Sequence, residues 1–247
     1  MARYQIILAY DGTDFLGYQR QAKGRTVQGV LETALSRLGW SDRATLFSGR
    51  TDSGVHAMGQ VAAFDLEWAH PVEDLGRAIN AYLPADVAVR SVRVAAPDFH
   101  PRFDAKGRIY RYQIYCEPDR DPLRDRYNWR VWPDLNRDLL QRAAGLLPGI
   151  HDFSAFGTPP RPGGSTTREV FSAAWEQRSG GLQFEVSANA FLYHMVRRIV
   201  HLQVQVGKDL LALESFTQAV QAAKPQPPGL APACGLALKE VLYEALD

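Results

Sequence analysis

The chain has 247 residues, 46% of them apolar, and a formal net charge of +1. That length admits one large domain or two small ones, each with a real core, and no run approaches the roughly 18 consecutive apolar residues of a membrane span. The near-neutral balance does not by itself mark a partner for polyanions, and the two cysteines, Cys116 and Cys234, have neither metal-ligand spacing nor the pattern of a disulfide framework.

Tyr4 to Tyr10 reads as a strand ending in an Asp11-Gly12 turn. Val27, Val30, Leu31, Ala34, Leu35 and Leu38 recur at helical spacing, and Gly39 suits the stop. Ala44 to Ser48 and Gly59 to Glu67 read as strands flanking a loop from Gly49 to Met58. Val72 to Tyr82 reads as a helix closed by Leu83-Pro84, and Asp86 to Val94 as a strand. A second cycle follows. Arg108 to Tyr115 alternates as a strand does, and Leu135 to Leu147 is a helix stopped by Pro148-Gly149. Thr167 to Gln177 and Leu182 to Ser187 are strands joined by a Ser179-Gly180-Gly181 hairpin. Phe191 to Val206 and Leu213 to Ala223 have helical period, and Gly235 to Tyr243 is a final strand. Gly157 to Gly164 and Lys224 to Pro232 are Pro-rich loops. Strands and helices interleave in two similar halves, which predicts an α+β fold with a mainly antiparallel sheet. The halves are expected at 1–105 and 106–247.

The opening residues carry no long apolar stretch and no small-residue cleavage site, so the expectation is a cytoplasmic protein without a secretory leader and with no membrane association. Charge is uneven along the chain. Between Gln19 and Arg50 there are six basic residues against two acids, and between Pro101 and Arg130 eight against five. A protein that neutralises phosphates needs such local positive surface rather than a basic average. The same runs also suit a solvated mixed-charge surface.

The densest chemical signal is Gly49-Arg50-Thr51-Asp52-Ser53-Gly54-Val55-His56-Ala57. Glycines bracket a short loop between strands, where backbone can approach a ligand closely, and the loop holds an arginine, an aspartate and a histidine. Taken bare, the segment also reads as a polar hairpin loop with an Asx-type turn at Asp52. His56 reads as a satisfied loop histidine.

This segment resembles the catalytic motif of the bacterial tRNA pseudouridine synthase A family, and the resemblance extends along nearly the whole chain in order. Asp11 to Gln21 is similar to the family's first-strand turn and Gln-rich loop. Asn80 to Val89 is similar to its Asn-x-x-Leu-Pro-x-Asp-Ile segment, and Phe99 to Tyr112 to its central strand motif. His151 to Phe156, Asn189 to Val200 and Ala231 to Leu238 resemble its Asp-Phe segment, C-terminal helix and closing strand. The chain departs at Tyr18, where Trp is usual, at Pro101, where Ala is usual, and at His201, where Gly is common.

The resemblance implies a pseudouridine synthase fold of two RNA-recognition-like halves with a catalytic cleft. It implies a homodimer that isomerises uridines 38, 39 and 40 of the tRNA anticodon stem-loop, with Asp52 as the catalytic carboxylate. The reaction breaks N1–C1′ and rejoins the base through C5, which requires an ionised carboxylate acting as nucleophile or base. Such an isomerisation requires no redox step or group carrier. The absence of Gly-x-Gly-x-x-Gly and Gly-x4-Gly-Lys-[Ser/Thr] agrees with an expectation of no cofactor, and no metal is expected. The resemblance further implies that Arg197 keeps Asp52 charged, with Arg198 beside it as an accessory or RNA contact. It implies that Tyr110 stacks on the target uracil. Tyr112 lies on the same strand face by alternation, so spacing alone does not separate the two. The target base must leave its stack to react. Arg50 is a candidate for holding the vacated position or a phosphate, or else a structural partner for a carboxylate. Lys23, Arg25, Arg161 and Arg168 are candidate phosphate contacts. The competing reading is a non-catalytic RNA-binding protein on the same sheet platform. A carboxylate-dependent hydrolase would need a second acid, and the loop offers none.

Overall fold

The computed structural model describes residues 1–244. In chain order the first elements are β1 (Ala2–Tyr10), α1 (Val27–Ser36), β2 (Leu46–Phe47), β3 (His56–Leu66), α2 (Val72–Tyr82) and β4 (Val87–Val94). Then come β5 (Gly107–Cys116), α3 (Pro122–Asp125), β6 (Trp129–Val131), α4 (Arg137–Ala144), β7 (Gly149–Asp152), β8 (Thr167–Arg178) and β9 (Gly181–Ala188). The chain continues through α5 (Met195–Gly207), α6 (Leu213–Ala222), a single 3-10 turn (Ala233–Gly235) and β10 (Leu236–Leu242). These form two compact units, one of residues 1–106 with the stretch from Ala237, the other Gly107–Leu236. No helix among the described residues is long and apolar enough to cross a membrane.

In the first unit β1 is central, antiparallel to both β3 and β4. The far edge of β3 is shared. β2 pairs antiparallel with it at Ala62 and Ala63, while β10 runs parallel beside His56 and Ala57. Alternation along β1 sends Ile6 and Leu8 into the core, and the helices bury Leu31 and Leu35 of α1 and Leu75 and Ile79 of α2. Thr26 caps α1 by accepting from the Gly29 N–H at 3.3 Å. Asn80 acts as a surrogate strand residue: its amide both donates to Val89 O (2.9 Å) and accepts from Val89 N (2.7 Å), which docks α2 on β4.

In the second unit the strand order is β5-β9-β8-β7, all antiparallel, with the short β6 parallel to β5. Its core holds Phe153, Phe156 and Phe216 in a chain of ring contacts, together with Leu140 and Ile199. The helix α5 is buried on most of its circumference, and its polar Gln203 is satisfied on one side only: Oε1 accepts from Trp175 Nε1 at 2.8 Å, while the buried Nε2 meets no acceptor among the described residues.

Both units bear out an α+β fold with mainly antiparallel sheet. Three details differ from the sequence expectation. The last strand packs with the first unit rather than closing a half of 106–247, because its register lies against β3, a pairing too distant in sequence to read locally. The helix expected from Phe191 begins only at Met195. Residues 191–194 are held out of it by Tyr193, whose N–H donates to Thr158 O at 2.9 Å, and by His194 in the left-handed region (φ 65°). The strands β6 and β7 and the one-turn α3 are too short for periodicity to reveal.

Candidate active site

The loop from Gly49 to Val55 joins β2 to β3, and its entry is fixed from beneath. The fully buried Gln60 side chain donates to Gly49 O at 2.9 Å and accepts from Ser48 Oγ at 2.6 Å. Thr51 is buried, with its hydroxyl 2.8 Å from Tyr10 Oη. Asp52 then opens a turn: its carbonyl accepts from Val55 N at 3.2 Å, and Gly54 takes the left-handed conformation (φ 76°) that the turn requires. Asp52 itself is half-buried. Its carboxylate is carried by a short loop whose backbone is bonded before and after it.

The second support is the turn of residues 11–18, which lies directly on that loop. Phe15 O accepts from both Gly54 N and Ser53 Oγ, each at 3.2 Å, and Thr51 O accepts from Tyr18 N at 3.2 Å. Gly12 and Gly17 permit this approach. A Cβ on Gly12 would sit 2.0 Å from Val55 O, and one on Gly17 2.6 Å from Thr51 O. His56 is buried, and its Nδ1 accepts from Gly12 N at 3.0 Å, which assigns the ring proton to Nε2 when the imidazole is neutral. Asp11 Oδ1, 3.2 Å from the same nitrogen, accepts from the Thr13 N–H and hydroxyl. His56 is thus satisfied as expected, but it is the first residue of β3 rather than part of the loop, because the strand begins three residues before the expected Gly59.

Of the basic candidates in this unit, Lys23 and Arg50 are exposed. Arg25 is engaged: its two Nη groups donate to the two carboxylate oxygens of Asp86 at 2.6 and 2.8 Å, and its guanidinium lies 4.0 Å from the centre of the Phe15 ring. The hydrogen bonds from Arg25 hold the Asp86 carboxyl below the usual carboxylate range.

In the second unit the two tyrosines of β5 differ sharply. Tyr112 is fully buried, with its hydroxyl donating to Pro232 O at 2.8 Å, and burial pushes its phenol well above the ordinary range. Tyr110 is half-buried, with Phe191 set edge-on at 5.0 Å. The adjacent arginines of α5 both meet the Pro-rich loop before the last strand. Arg197 Nε donates to Ala231 O at 2.8 Å, while Arg198 donates to the carbonyls of Gly229, Gln226 and Pro227 at 2.8, 2.9 and 2.5 Å. Arg198 is therefore an anchor for the loop. Arg161 is exposed, and Arg168 folds back on Ser165 O and Thr167 O at 2.9 and 2.6 Å, with burial lowering its pKa. Sequence reading overlooked Gln60, Thr51 and Asp86. Gln60 had a legible trace, a polar residue in the apolar middle of its strand, followed by Val61-Ala62-Ala63-Phe64. Asp86 lies in the segment that resembles the family's Asn-x-x-Leu-Pro-x-Asp-Ile pattern, but its pairing had no trace, because its partner stands 61 residues away.

The arrangement in the first unit presents one carboxylate on a braced turn, the requirement for carboxylate-mediated chemistry at a sugar. A family model described as tRNA pseudouridine synthase matches residues 6–104 and 143–244. The tRNA pseudouridine synthase A of Neisseria gonorrhoeae (strain NCCP11945) is 43% identical over 222 residues, covering 89% of this chain and 83% of that protein. That of Moorella thermoacetica is 40% identical over 242 residues, covering 97% and 98% respectively. The enzyme of the same name from Syntrophotalea carbinolica is 38% identical over 248 residues, covering 100% and 98%. With most of its length matched by the family model and by full-length relatives, the chain belongs to the tRNA pseudouridine synthase family.

Proposed function

We propose that this protein converts uridines 38, 39 and 40 of the tRNA anticodon stem-loop to pseudouridine, with Asp52 as the catalytic carboxylate. The observation that carries the proposal is the braced turn around Asp52, standing in the family's catalytic motif. The reaction breaks the N1–C1′ bond, turns the uracil and forms a C5–C1′ bond, after which the C5 hydrogen is lost. Attack on C1′ and removal of the 2′-hydrogen both require an ionised carboxylate. Tyr110 is assigned the stack on the extruded uracil. Its half-exposed ring favours it over Tyr112, whose ring is enclosed. Arg197 is assigned the cation that keeps the reacting carboxylate charged. The exposed Lys23, Arg50 and Arg161, with Arg168, are assigned to phosphates of the RNA. The active form is proposed to be a cytoplasmic homodimer.

The test uses anticodon-arm RNA tritiated at uracil C5. The wild-type protein releases tritium. Asp52→Asn, a change of one atom, binds the RNA as well but loses turnover by several orders of magnitude. Full turnover by Asp52→Asn, or RNA binding by wild type without tritium release, would overturn the proposal, the latter in favour of a non-catalytic RNA-binding protein.

A further inference from the structure

Arg25 carries its charge beside a loop of basic residues, which on sequence suits a phosphate contact. Its geometry serves a different purpose. Both Nη groups are committed to Asp86 in a fork at 2.6 and 2.8 Å, and the cation face lies on the Phe15 ring, which is 1% exposed. The Arg25 carbonyl accepts from Leu16 N at 2.9 Å, and the Asp86 carbonyl accepts from Asp11 N at 2.9 Å. The pair therefore grips the turn of residues 11–18 at its start, through Asp86, and at its apex, through Arg25. That apex bears on the reacting group: Phe15 O accepts the N–H of Gly54 and the hydroxyl of Ser53, the two residues after Asp52. The close approaches at Gly12 and Gly17 leave the turn no room to shift without moving the loop.

We infer that Arg25 and Asp86 form a positioning brace that fixes the orientation of the Asp52 carboxylate through Phe15. Neither residue touches substrate. The inference rests on the function proposed above only in its kinetic readout. The fork and the cation–ring contact belong to arginine specifically, and lysine reproduces neither.

The experiment compares Arg25→Lys, which keeps the positive charge, with Asp86→Asn, which removes a negative one. Single-turnover tritium release is measured at saturating anticodon-arm RNA, alongside the RNA dissociation constant over a series of salt concentrations. Misplacing a reacting group by an ångström costs on the order of 100-fold in rate. The brace therefore predicts that both variants lose about 10- to 100-fold in rate, with affinity and salt slope little changed. A phosphate contact predicts the opposite pattern. In Arg25→Ala, measured in the same assays, binding would weaken with a salt slope lowered by about one, and Asp86→Asn would be unharmed. That pattern, or an unchanged rate in either folded variant, overturns the inference.

Hydrogen exchange at the Gly54 amide supplies a readout independent of turnover. It accelerates in Arg25→Lys if the brace holds the loop, and an unchanged rate of exchange rejects the brace even if the wild type proves inactive. Should Arg25→Lys and Asp86→Asn fail to fold, Phe15→Leu, which removes the ring beneath the guanidinium, is read in the same two assays against the same outcomes.

Discussion

Tyr110 and Tyr112 stand two positions apart on β5, yet they occupy different environments. The hydroxyl of Tyr112 is spent on Pro232 O and its ring is packed so tightly that a Cβ on Gly235 would fall 2.6 Å from it. Tyr110 is only half-buried. Alternation made the two equivalent, and only the packing around them distinguishes a half-exposed ring, the one proposed to receive the base, from an enclosed one. Substitution should separate them experimentally. Tyr110→Ala should weaken productive RNA engagement by about 1–3 kcal/mol, the usual worth of a base–aromatic stack, while Tyr110→Phe keeps most of it. Tyr112→Phe should instead lower stability by about 1 kcal/mol through its lost hydrogen bond and leave turnover per folded molecule near wild type. Parallel denaturant titrations and tritium-release rates make the comparison, and equal catalytic losses at both positions would contradict the assignment.

The loop carrying Asp52 owes its shape to three neighbours: β3 beneath it through Gln60, β1 beside it through Tyr10, and the turn of residues 11–18 against it. The glycines of that turn are where the elements meet most closely. Gly17→Ala places a methyl carbon 2.6 Å from Thr51 O in a backbone conformation (φ 90°) that L-residues avoid. The variant should therefore lose about 1–3 kcal/mol of stability and, as the loop is displaced, most of its turnover; thermal melts and tritium release report both. Much of this layer was legible beforehand. The helices α1 and α2 and the strands β1, β3, β5, β8 and β9 are long enough for their period to show. The start of α5 was not, because Phe191 and Leu192 are apolar at helical spacing but are held in a loop by Tyr193 bonding to Thr158. The Asp52 loop could be picked out by its residue types, whereas the brace at Arg25 and Asp86 joins positions with no local pattern to connect them.

For the molecule as a whole, the near neutrality of pH 7 gives way in acid to net positive charge, as 27 carboxylates protonate among 28 Lys and Arg residues, and two particular ion pairs add to that destabilisation. Arg3 donates to Asp65 at 2.8 and 2.7 Å, and Arg25 holds Asp86 in the same manner, so both carboxyls ionise below the ordinary value of 3.8. Folding gains from each pair wherever the unfolded carboxyl would also be charged, above about pH 4, and that gain is lost as pH falls through the lower folded values. The melting temperature should accordingly be level near neutrality and decline below about pH 4. Asp65→Asn should melt lower at pH 7 yet show a shallower acid limb, and an acid limb as steep as wild type would contradict the linkage.

The shared edge of β3 has a temporal consequence. His56 and Ala57, which lead out of the Asp52 loop, are flanked by Ala237 and Leu238, residues synthesised about 180 positions later. A nascent chain can pair β1, β3 and β4 first, but the strand that follows the Asp52 turn stays half-bordered until β10 emerges. Chains that stop short of Leu238 should therefore carry an Asp52 loop whose exit strand keeps one open edge.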